Sequence, residues 1–315
     1  MPGPPLVTGA TGFAGSHLVD QLLADQPSVA AWSHRGGREH EPGADPRVGW
    51  SSVDLLDRRA VSRALAELQP SAVYHCAGIA HVGESWSEPV RALRVNVLGT
   101  HHVLEGVKDA GLTCPVLVTG SALVYRPSTR QIREGDPIGP SDPYGVSKLA
   151  QEMLAMCPAD APVFVVRPFN HAGPRQSATY VTSSFAQQIA EIEAGRREPV
   201  LRVGNLESRR DITDVRDTVR AYRLVMQRGQ PGRPYNVCSG EAYRIRDLLD
   251  ALVRLSRASI DIQVDASRLR PSDNPVISGD RSRISAEAGW TPEIPIEQTL
   301  DDLLTYWRRR IAAQP

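Results

Sequence analysis

The first half of the chain alternates short apolar runs with segments whose apolar residues recur at helical spacing. A near-continuous apolar run is typical of a strand that is buried on both faces, and its alternation with helices is typical of a parallel sheet. The pattern therefore predicts an α/β fold with a Rossmann-type, doubly wound parallel sheet. The predicted strands lie within PLVTGA, SVAAWSH, RVGWSSVDL, PSAVYHCAG, CPVLVTGSA and APVFVVRPFN.

The alternation breaks after residue 170. The segment EPVLRVGN is typical of a strand outside the main sheet, whereas RPYNVCSG is typical of a last strand within it. We therefore predict a nucleotide-binding domain over residues 1–170, completed by about 212–240. A smaller substrate-binding domain is predicted mainly over residues 171–315.

Composition and charge exclude several classes of partner. The 315 residues carry 36 basic and 36 acidic side chains, so net charge gives no reason to expect binding to nucleic acid or to a membrane surface. No apolar run has the length of a membrane span, and the N-terminus has no signal-peptide pattern, so we expect a cytoplasmic protein. The four cysteines are far apart, and no metal site is predicted.

A glycine-rich turn joins the first predicted strand to the first helix. In TGATGFAG, the glycines are Gly9, Gly12 and Gly15. Glycine permits a tight turn and lets backbone N–H groups approach a pyrophosphate at the positive end of a helix. This position at the first strand, with further strand–helix units behind it, indicates dinucleotide binding.

The end of the second predicted strand favours NADPH over NADH. No acidic residue stands where one would bind a ribose 2′-hydroxyl; Ser33, His34, Arg35 and Arg38 follow the strand instead. Guanidinium groups pair well with a 2′-phosphate. The alternative is that these arginines belong to a solvated loop of an arginine-rich chain. Asp54, at the end of the third strand, can accept from the adenine amino group.

Tyr144 and Lys148 stand four residues apart in PYGVSK, and the chain has one other lysine, Lys108. On a helix this spacing places both side chains on one face. We expect the ammonium to lower the pKa of Tyr144, so that the phenol exchanges a proton with a substrate oxygen near neutral pH. Ser121 ends the fifth predicted strand, where sheet ligands bind, and can hydrogen-bond the same oxygen.

These motifs together resemble the extended short-chain dehydrogenase/reductase family of nucleotide-sugar epimerases, dehydratases and reductases. The resemblance covers essentially the whole chain and assigns Ser121, Tyr144 and Lys148 as catalytic. It implies that the cofactor is held by Gly9, Thr11, Gly12, Phe13, Ala14, Gly15, Ser33, Arg35, Asp54, Leu55, Ala77, Gly78, Asn96, Tyr144, Lys148 and Pro168.

The C-terminal half resembles the GDP-sugar branch of the family, above all the GDP-6-deoxy-D-mannose reductases. The segments that carry this resemblance are RPFNHAGPRQ, VGNLESRRDITDVRDTVRAYR and RLRPSDNPVISGD. The resemblance implies a GDP-sugar substrate, with arginines that bind its diphosphate. The implied substrate contacts are Ser85, Ser121, Asn170, Val181, Thr182, Phe185, Leu201, Gly204, Asn205, Arg210 and Arg270.

Two residues depart from the family pattern. Leu123 stands where the dehydratases carry a glutamate, and leucine cannot move a proton, so simple carbonyl reduction is favoured. Arg126 replaces a common glycine, and its role is open. The expected reaction is reduction of GDP-4-keto-6-deoxy-D-mannose by NADPH or NADH to GDP-D-rhamnose or GDP-6-deoxy-D-talose. The alternatives are a 4-epimerase with tightly bound NAD, a dehydratase and a non-catalytic nucleotide sensor.

Three further expectations concern packing. The resemblance implies a homodimer through the helices around 85–110 and 143–157, in a four-helix contact. Trp86 and Trp290 are interpreted as packing residues. His171 is interpreted as a hydrogen-bonded structural histidine, with a second acid near the sugar as the alternative.

Overall fold

The computed structural model describes residues 3–34, 45–157, 160–268 and 274–314. Their strands, in chain order, are β1 (Leu6–Thr8), β2 (Val29–Ser33), β3 (Val48–Ser52), β4 (Val73–His75), β5 (Val116–Thr119), β6 (Val163–Pro168), β7 (Asn170–Ala172), β8 (Val200–Val203), β9 (Arg209–Asp214), β10 (Pro234–Val237), β11 (Ala242–Arg244), β12 (Asp261–Val264) and β13 (Val276–Ile277).

Helices follow most strands of the first half and dominate the second. They are α1 (Phe13–Leu22), α2 (Arg58–Leu68), α3 (Val82–Ser87), α4 (Pro89–Leu93), α5 (Gly99–Asp109), α6 (Pro143–Ala155), α7 (Val181–Glu193), α8 (Val215–Arg228), α9 (Ile245–Leu255), α10 (Ser282–Ala288) and α11 (Ile296–Ala312). Not one of the helices in the described ranges is both long and apolar enough to cross a bilayer.

The main sheet has seven parallel strands in the order β10-β6-β5-β4-β1-β2-β3. This is the doubly wound order: β2 and β3 are added on one side of β1, and β4, β5 and β6 on the other, so the strand order reverses between β1 and β4. Strands β1, β4 and β5 are buried along their whole length, which explains their unbroken apolar runs. The predicted Rossmann-type sheet is confirmed, including RPYNVCSG as its last strand at the β10 edge.

A smaller lobe follows β6. Strands β11, β9 and β13 form a second sheet, β7 pairs with β9, and β8 pairs with β12 outside the main sheet, as predicted. Helices α7, α9 and α11 cover a separate apolar cluster that contains Phe185, Leu201 and Trp307. Strand β7 follows directly after β6 and pairs with β9, so it joins the carboxyl end of β6 to this lobe. The predicted domain limits stay a prediction.

The helix expected over VRALRVNVLGTHHVLEGVKDA changes from an α-helical to a π-helical hydrogen-bond pattern for one turn. Helix α4 passes through a π-helical turn, Arg94–Leu98, into α5. The extra residue of a π turn re-aims side chains, and such turns occur at functional sites. Here Asn96 lies within the turn and is fully buried.

The two tryptophans differ. Trp290 is fully buried, as expected of a packing residue, and its indole N–H donates to the Asp217 carbonyl at 3.0 Å. The prediction for Trp86 is wrong for this chain in isolation, because the side chain is 56% exposed on the short helix α3.

Candidate active site

The glycine-rich turn packs against the loop after β4. Gly9 has a φ of 66°, and a β-carbon there would lie 2.7 Å from the Ala77 Cα. A β-carbon on Gly15 would lie 2.2 Å from the Gly9 carbonyl oxygen. Only glycine fits these two positions, because the contacts are with backbone atoms that cannot move aside.

The first turn of α1 has the features of an anion site. Its N-cap is Gly12, which is exposed and offers no side chain to cap the helix. Thr11, Phe13 and Ala14 surround it and are half-buried. Uncapped N–H groups at a helix N-terminus attract phosphate oxygens. The turn therefore fits the pyrophosphate of a dinucleotide.

The predicted adenosine end is described in part. Ser33 ends β2 and is half-buried, and His34 follows it on the surface. Asp54 accepts a hydrogen bond from the Leu56 N–H at 2.9 Å, and the Leu55 carbonyl accepts from His102 at 2.7 Å. Arg35 and Arg38, on which the NADPH preference rested, lie outside the described residues, as does Arg270.

Ser121 and Tyr144 meet at the carboxyl end of β5. Asp142 caps α6 by accepting from the Gly145 N–H at 2.8 Å, and Pro143 begins the helix, so Tyr144 lies in its first turn. The Ser121 side chain lies close enough to the Tyr144 phenol to act on its pKa. The structure therefore brings the predicted serine and tyrosine together.

The expected lowering of the Tyr144 pKa is wrong for this structure. Burial raises the pKa of the phenol well above its usual range, and the neighbouring Tyr180 raises it further, while the nearby Ser121 side chain acts in the opposite direction. The Lys148 ammonium lies 6.0 Å from the centre of the Tyr144 ring. Removal from water disfavours the phenolate, so Tyr144 holds its proton at neutral pH.

Lys148 is buried directly behind the tyrosine. Its ammonium donates to the Thr119 carbonyl and to the Gln151 side-chain oxygen, both at 2.9 Å. Burial lowers its pKa to about 8, and the Cys76 thiol opposes this shift. A lysine ammonium has three N–H donors, so these two bonds leave one for a ligand.

Gly78 and Asn96 complete this end of the cleft. A β-carbon on Gly78 would lie 2.7 Å from the Asn96 side-chain oxygen and 3.5 Å from the Lys148 nitrogen. Asn96 donates to Ser147 at 2.9 Å and accepts from the Ile79 N–H at 2.8 Å. The structure therefore brings these two predicted cofactor residues together with the predicted catalytic lysine.

The predicted residues that follow β6 lie near the glycine-rich turn. Pro168 ends the strand, and Asn170 begins β7 with an exposed side chain. The His171 ring stacks on Phe13 with 5.4 Å between ring centres, and its Nδ1 lies 3.2 Å from the Phe169 carbonyl. Burial lowers the pKa of His171. This packing agrees with a structural histidine.

The predicted substrate residues differ in accessibility. Val181 and Asn205 are exposed, Gly204 and Arg210 are half-buried, and Arg210 donates to the Asn274 carbonyl at 2.7 Å. The side chains of Phe185 and Leu201 are buried in the core of the small lobe. Those two can offer a ligand only backbone atoms. The Ser85 and Thr182 hydroxyls are also buried and bond to Val82 and Gln176.

Sequence reasoning missed Tyr180, which stands at the N-cap of α7. Its hydroxyl donates to the Ala80 carbonyl at 3.3 Å, and its ring meets His81 edge-on with 5.7 Å between centres. It also acts electrostatically on Tyr144. An isolated aromatic residue in a turn-rich segment carries no periodic signal, so the sequence pattern did not single it out.

Within the described parts of the chain, we found no group of three or more His, Cys, Asp or Glu side chains that is arranged to hold a metal ion.

Known proteins resemble this chain over nearly its whole length. The GDP-6-deoxy-D-mannose reductase of Pseudomonas aeruginosa is 35% identical over 311 residues, which is 97% of each chain. The structure of RMD from P. aeruginosa complexed with NADPH aligns with a TM-score of 0.84 and 33% identity, covering 98% of this chain and 99% of that one.

A UDP-glucose 4-epimerase from Thermus thermophilus, solved in complex with NAD, aligns with a TM-score of 0.85 and 27% identity over 97% of this chain and 99% of that one. The family model for GDP-mannose 4,6 dehydratase matches residues 6–303. The chain therefore belongs to the GDP-mannose 4,6 dehydratase family, a family of enzymes among the extended short-chain dehydrogenases/reductases.

Proposed function

We propose that this protein reduces the 4-keto group of GDP-4-keto-6-deoxy-D-mannose with NADPH or NADH. The product would be GDP-D-rhamnose or GDP-6-deoxy-D-talose. The observation that carries the proposal is that Ser121 and Tyr144 lie side by side, with the buried Lys148 ammonium 6.0 Å from the centre of the Tyr144 ring. The 35% identity to a GDP-6-deoxy-D-mannose reductase supports the choice of substrate.

The cofactor would be held by the glycine-rich turn, Asp54, Leu55, Ala77, Gly78, Asn96 and Pro168. Its pyrophosphate would face the uncapped first turn of α1. Its ribose hydroxyls would accept a hydrogen bond from the remaining N–H of Lys148. When bound, the reduced nicotinamide supplies the hydride that the carbonyl carbon receives. The NADPH complex of the similar reductase supports the same cofactor for this chain.

The side chains of the site supply the proton. Tyr144 donates its phenolic proton to the former carbonyl oxygen, while Ser121 hydrogen-bonds that oxygen. The raised pKa of Tyr144 keeps the phenol in this acidic form before the reaction. The Lys148 ammonium stabilises the phenolate that remains, and solvent returns the proton to it.

The GDP-sugar would lie between the main sheet and the small lobe. Arg210 and Arg270 would bind the diphosphate, and the exposed Asn170, Val181 and Asn205 would contact the sugar or the nucleoside. This assignment gives residues 1–170 the role of a cofactor domain and residues 171–315 mainly that of a substrate domain.

Leu123 supports reduction over dehydration. It lies in the short turn after Ser121 and packs against a small apolar cluster. An aliphatic side chain cannot take the proton that dehydration removes from a sugar carbon. A 4-epimerase is the second candidate. The segment HCAGIAHVGES, which includes the end of β4 and the loop after it, resembles the epimerase branch of the family, and the similar UDP-glucose 4-epimerase structure also favours this hypothesis.

The test mixes the purified protein with enzymatically prepared GDP-4-keto-6-deoxy-D-mannose and follows nicotinamide absorbance with NADPH and NADH in parallel. We expect sugar-dependent oxidation, and at least about a hundredfold loss in Tyr144→Phe. The matched control is Tyr306→Phe, which removes a phenol that bonds Arg310 on α11, and it should retain activity. If wild type oxidises neither cofactor, the reductase proposal is overturned. Tightly bound NAD without net consumption would instead support the epimerase.

We also propose a homodimer that covers the exposed apolar side chains of α3, α4 and α6. Trp86, Val90 and Met153 are 56%, 67% and 65% exposed, and burying them would remove much apolar surface from water. Light scattering on wild type and Met153→Glu would test this, since the charge should shift the protein to a monomer. The cytoplasmic location stays a prediction.

A further inference from the structure

A line of buried side chains joins the glycine-rich turn to Lys148. The Thr8 hydroxyl lies 2.8 Å from His75 Nδ1, and His75 Nε2 lies 2.9 Å from the Thr100 hydroxyl. The Gln151 side-chain nitrogen donates to that same hydroxyl at 2.8 Å, and its oxygen accepts from Lys148 at 2.9 Å. All five side chains are less than 5% exposed.

The position of every proton in this line can be worked out. The Thr100 hydroxyl donates to the Asn96 carbonyl at 2.7 Å, so its oxygen is only an acceptor toward its other neighbours. His75 must therefore carry its proton on Nε2 and donate to Thr100. Nδ1 is then an acceptor, and Thr8 donates to it. Burial lowers the pKa of His75 to about 3, in agreement with a neutral ring.

The same reasoning fixes the amide of Gln151. Its NH₂ group must face Thr100, because that hydroxyl has no further proton to give. The carbonyl oxygen is then directed at Lys148 and cannot exchange places with the nitrogen without losing both hydrogen bonds. Asn96 belongs to the π turn, and its carbonyl accepts the Thr100 proton. The π turn therefore orients Gln151 indirectly, because Thr100 is left as an acceptor for the Gln151 amide.

No carboxylate pairs with this ammonium among the described residues. The titratable groups around it are Cys76 and His75 on the β4 side and Tyr144 on its own helix. Glu152, the next acidic residue of α6, pairs with Arg167 on β6 instead. The charge of Lys148 is therefore stabilised by two carbonyl dipoles. One is the Thr119 backbone carbonyl and the other is the Gln151 side-chain carbonyl.

We propose that Gln151, oriented by Thr100 and His75, is a positioning residue that holds the Lys148 ammonium against the Thr119 carbonyl, with its third N–H left for the ligand. The catalytic meaning of this role rests on the proposed function, in which Lys148 serves Tyr144. The positioning itself is a property of the protein without substrate and can be measured separately.

The chain suits a direct titration because it contains two lysines, Lys108 and Lys148. Protein labelled with ¹³C at the lysine ε-carbon gives two signals, which Lys108→Arg assigns, and surface-exposed Lys108 is the internal reference. Gln151→Leu removes a hydrogen bond that favours the charged amine, so the Lys148 midpoint should fall by on the order of one pH unit. Gln151→Glu places a carboxylate there, so the midpoint should rise.

Three further variants separate this role from general damage to the fold. Thr100→Val removes the acceptor that orients Gln151, and it should shift the Lys148 midpoint in the same direction as Gln151→Leu, by less. Gln188→Leu removes a buried glutamine of α7, which bonds Arg202, and Thr299→Val removes a buried hydroxyl that bonds Asp214. Both controls should leave the Lys148 midpoint where it is in wild type.

Shifts of opposite sign in Gln151→Leu and Gln151→Glu support the proposal, and unchanged or same-sign shifts overturn it. In the reductase assay, Gln151→Leu should lower kcat by about tenfold with little change in the KM for the sugar, because Gln151 makes no contact with the cleft. A wild-type protein without reductase activity would overturn the proposed function alone, because the titration needs no sugar.

Discussion

The backbone of Gly145 lies directly against the carbonyl oxygen of Leu123. A β-carbon on Gly145 would lie 2.4 Å from that oxygen, which is far inside contact distance. The first turn of α6 can therefore approach the turn that carries Ser121, and this approach places Ser121 next to Tyr144.

We predict that Gly145→Ala lowers both stability and activity. Helix propensity alone would favour alanine by up to about 1 kcal/mol, but the clash with backbone should cost on the order of 1–3 kcal/mol and separate α6 from Ser121. Urea unfolding and the reductase assay measure the two effects. The control is Gly135→Ala, where a β-carbon meets no atom within 4 Å. Equal behaviour of the two variants would contradict the prediction.

Alanine substitutions at Gly12 and Gly9 should separate an effect on cofactor binding from an effect on folding. Gly12 has an ordinary φ of −74°, and a β-carbon there would lie 3.0 Å from the Gly9 oxygen, so Gly12→Ala should fold. Its methyl group would stand where a phosphate approaches, so the Kd for NADPH, measured by calorimetry, should rise about tenfold or more. Gly9→Ala, at positive φ and against Ala77, should instead lower the unfolding midpoint. Unchanged NADPH affinity in Gly12→Ala would count against the assigned pyrophosphate site.

Burial of His75 makes the fold sensitive to acid. Its pKa is lowered to about 3 in the folded protein, so below about pH 6.5 the unfolded chain binds a proton that the folded chain does not. Stability should therefore fall as the pH decreases, by on the order of 1–2 kcal/mol between about pH 7 and about pH 5 from this residue. Urea unfolding at several pH values measures the slope. His75→Gln should flatten the slope, and a slope identical to that of wild type would rule out this source.

The ion pair between Glu152 and Arg167 anchors the C-terminal half of α6. Both side chains are 5% exposed, Arg167 donates to Glu152 at 2.9 Å from Nε, and its Nη1 also donates to the Tyr125 hydroxyl at 2.6 Å. Glu152→Gln leaves a buried guanidinium without its counter-charge and should cost about 3–5 kcal/mol in the free energy of unfolding.

The matched control is Glu207→Gln, whose partner Arg244 is exposed, and it should cost less than about 1 kcal/mol. Chemical denaturation compares the two variants. Similar losses would mean that the buried pair contributes no more than a surface pair.

The main sheet was predictable because its inner strands β1, β4 and β5 are buried along their whole length and so appear as unbroken apolar runs. The catalytic candidates were predictable because Tyr144 and Lys148 share a helical spacing. The raised pKa of Tyr144 was not, since it depends on how much of the phenol the folded chain removes from water. Nor was the π turn at Asn96, because the local sequence suits an ordinary helix.

The line of residues that leads to Lys148 could not be predicted from the sequence either. His75, Thr100 and Gln151 come from three different elements and are 76 residues apart at most, so no spacing rule connects them. The small lobe was less predictable than the sheet for a related reason. Leu201 and Phe185 serve its core although the family pattern placed them at the substrate.

The burial of Lys148 also determines how the protein reacts with amine-modifying reagents. A reagent reaches Lys108 on the surface directly, but it reaches Lys148 only through the cleft that the ligand would fill or when the structure around α6 opens. The ratio of the two modification rates therefore measures how accessible the cleft around Lys148 is. If the labelling is repeated with NADPH present, the change in that ratio measures how far the bound cofactor shields Lys148 from the reagent.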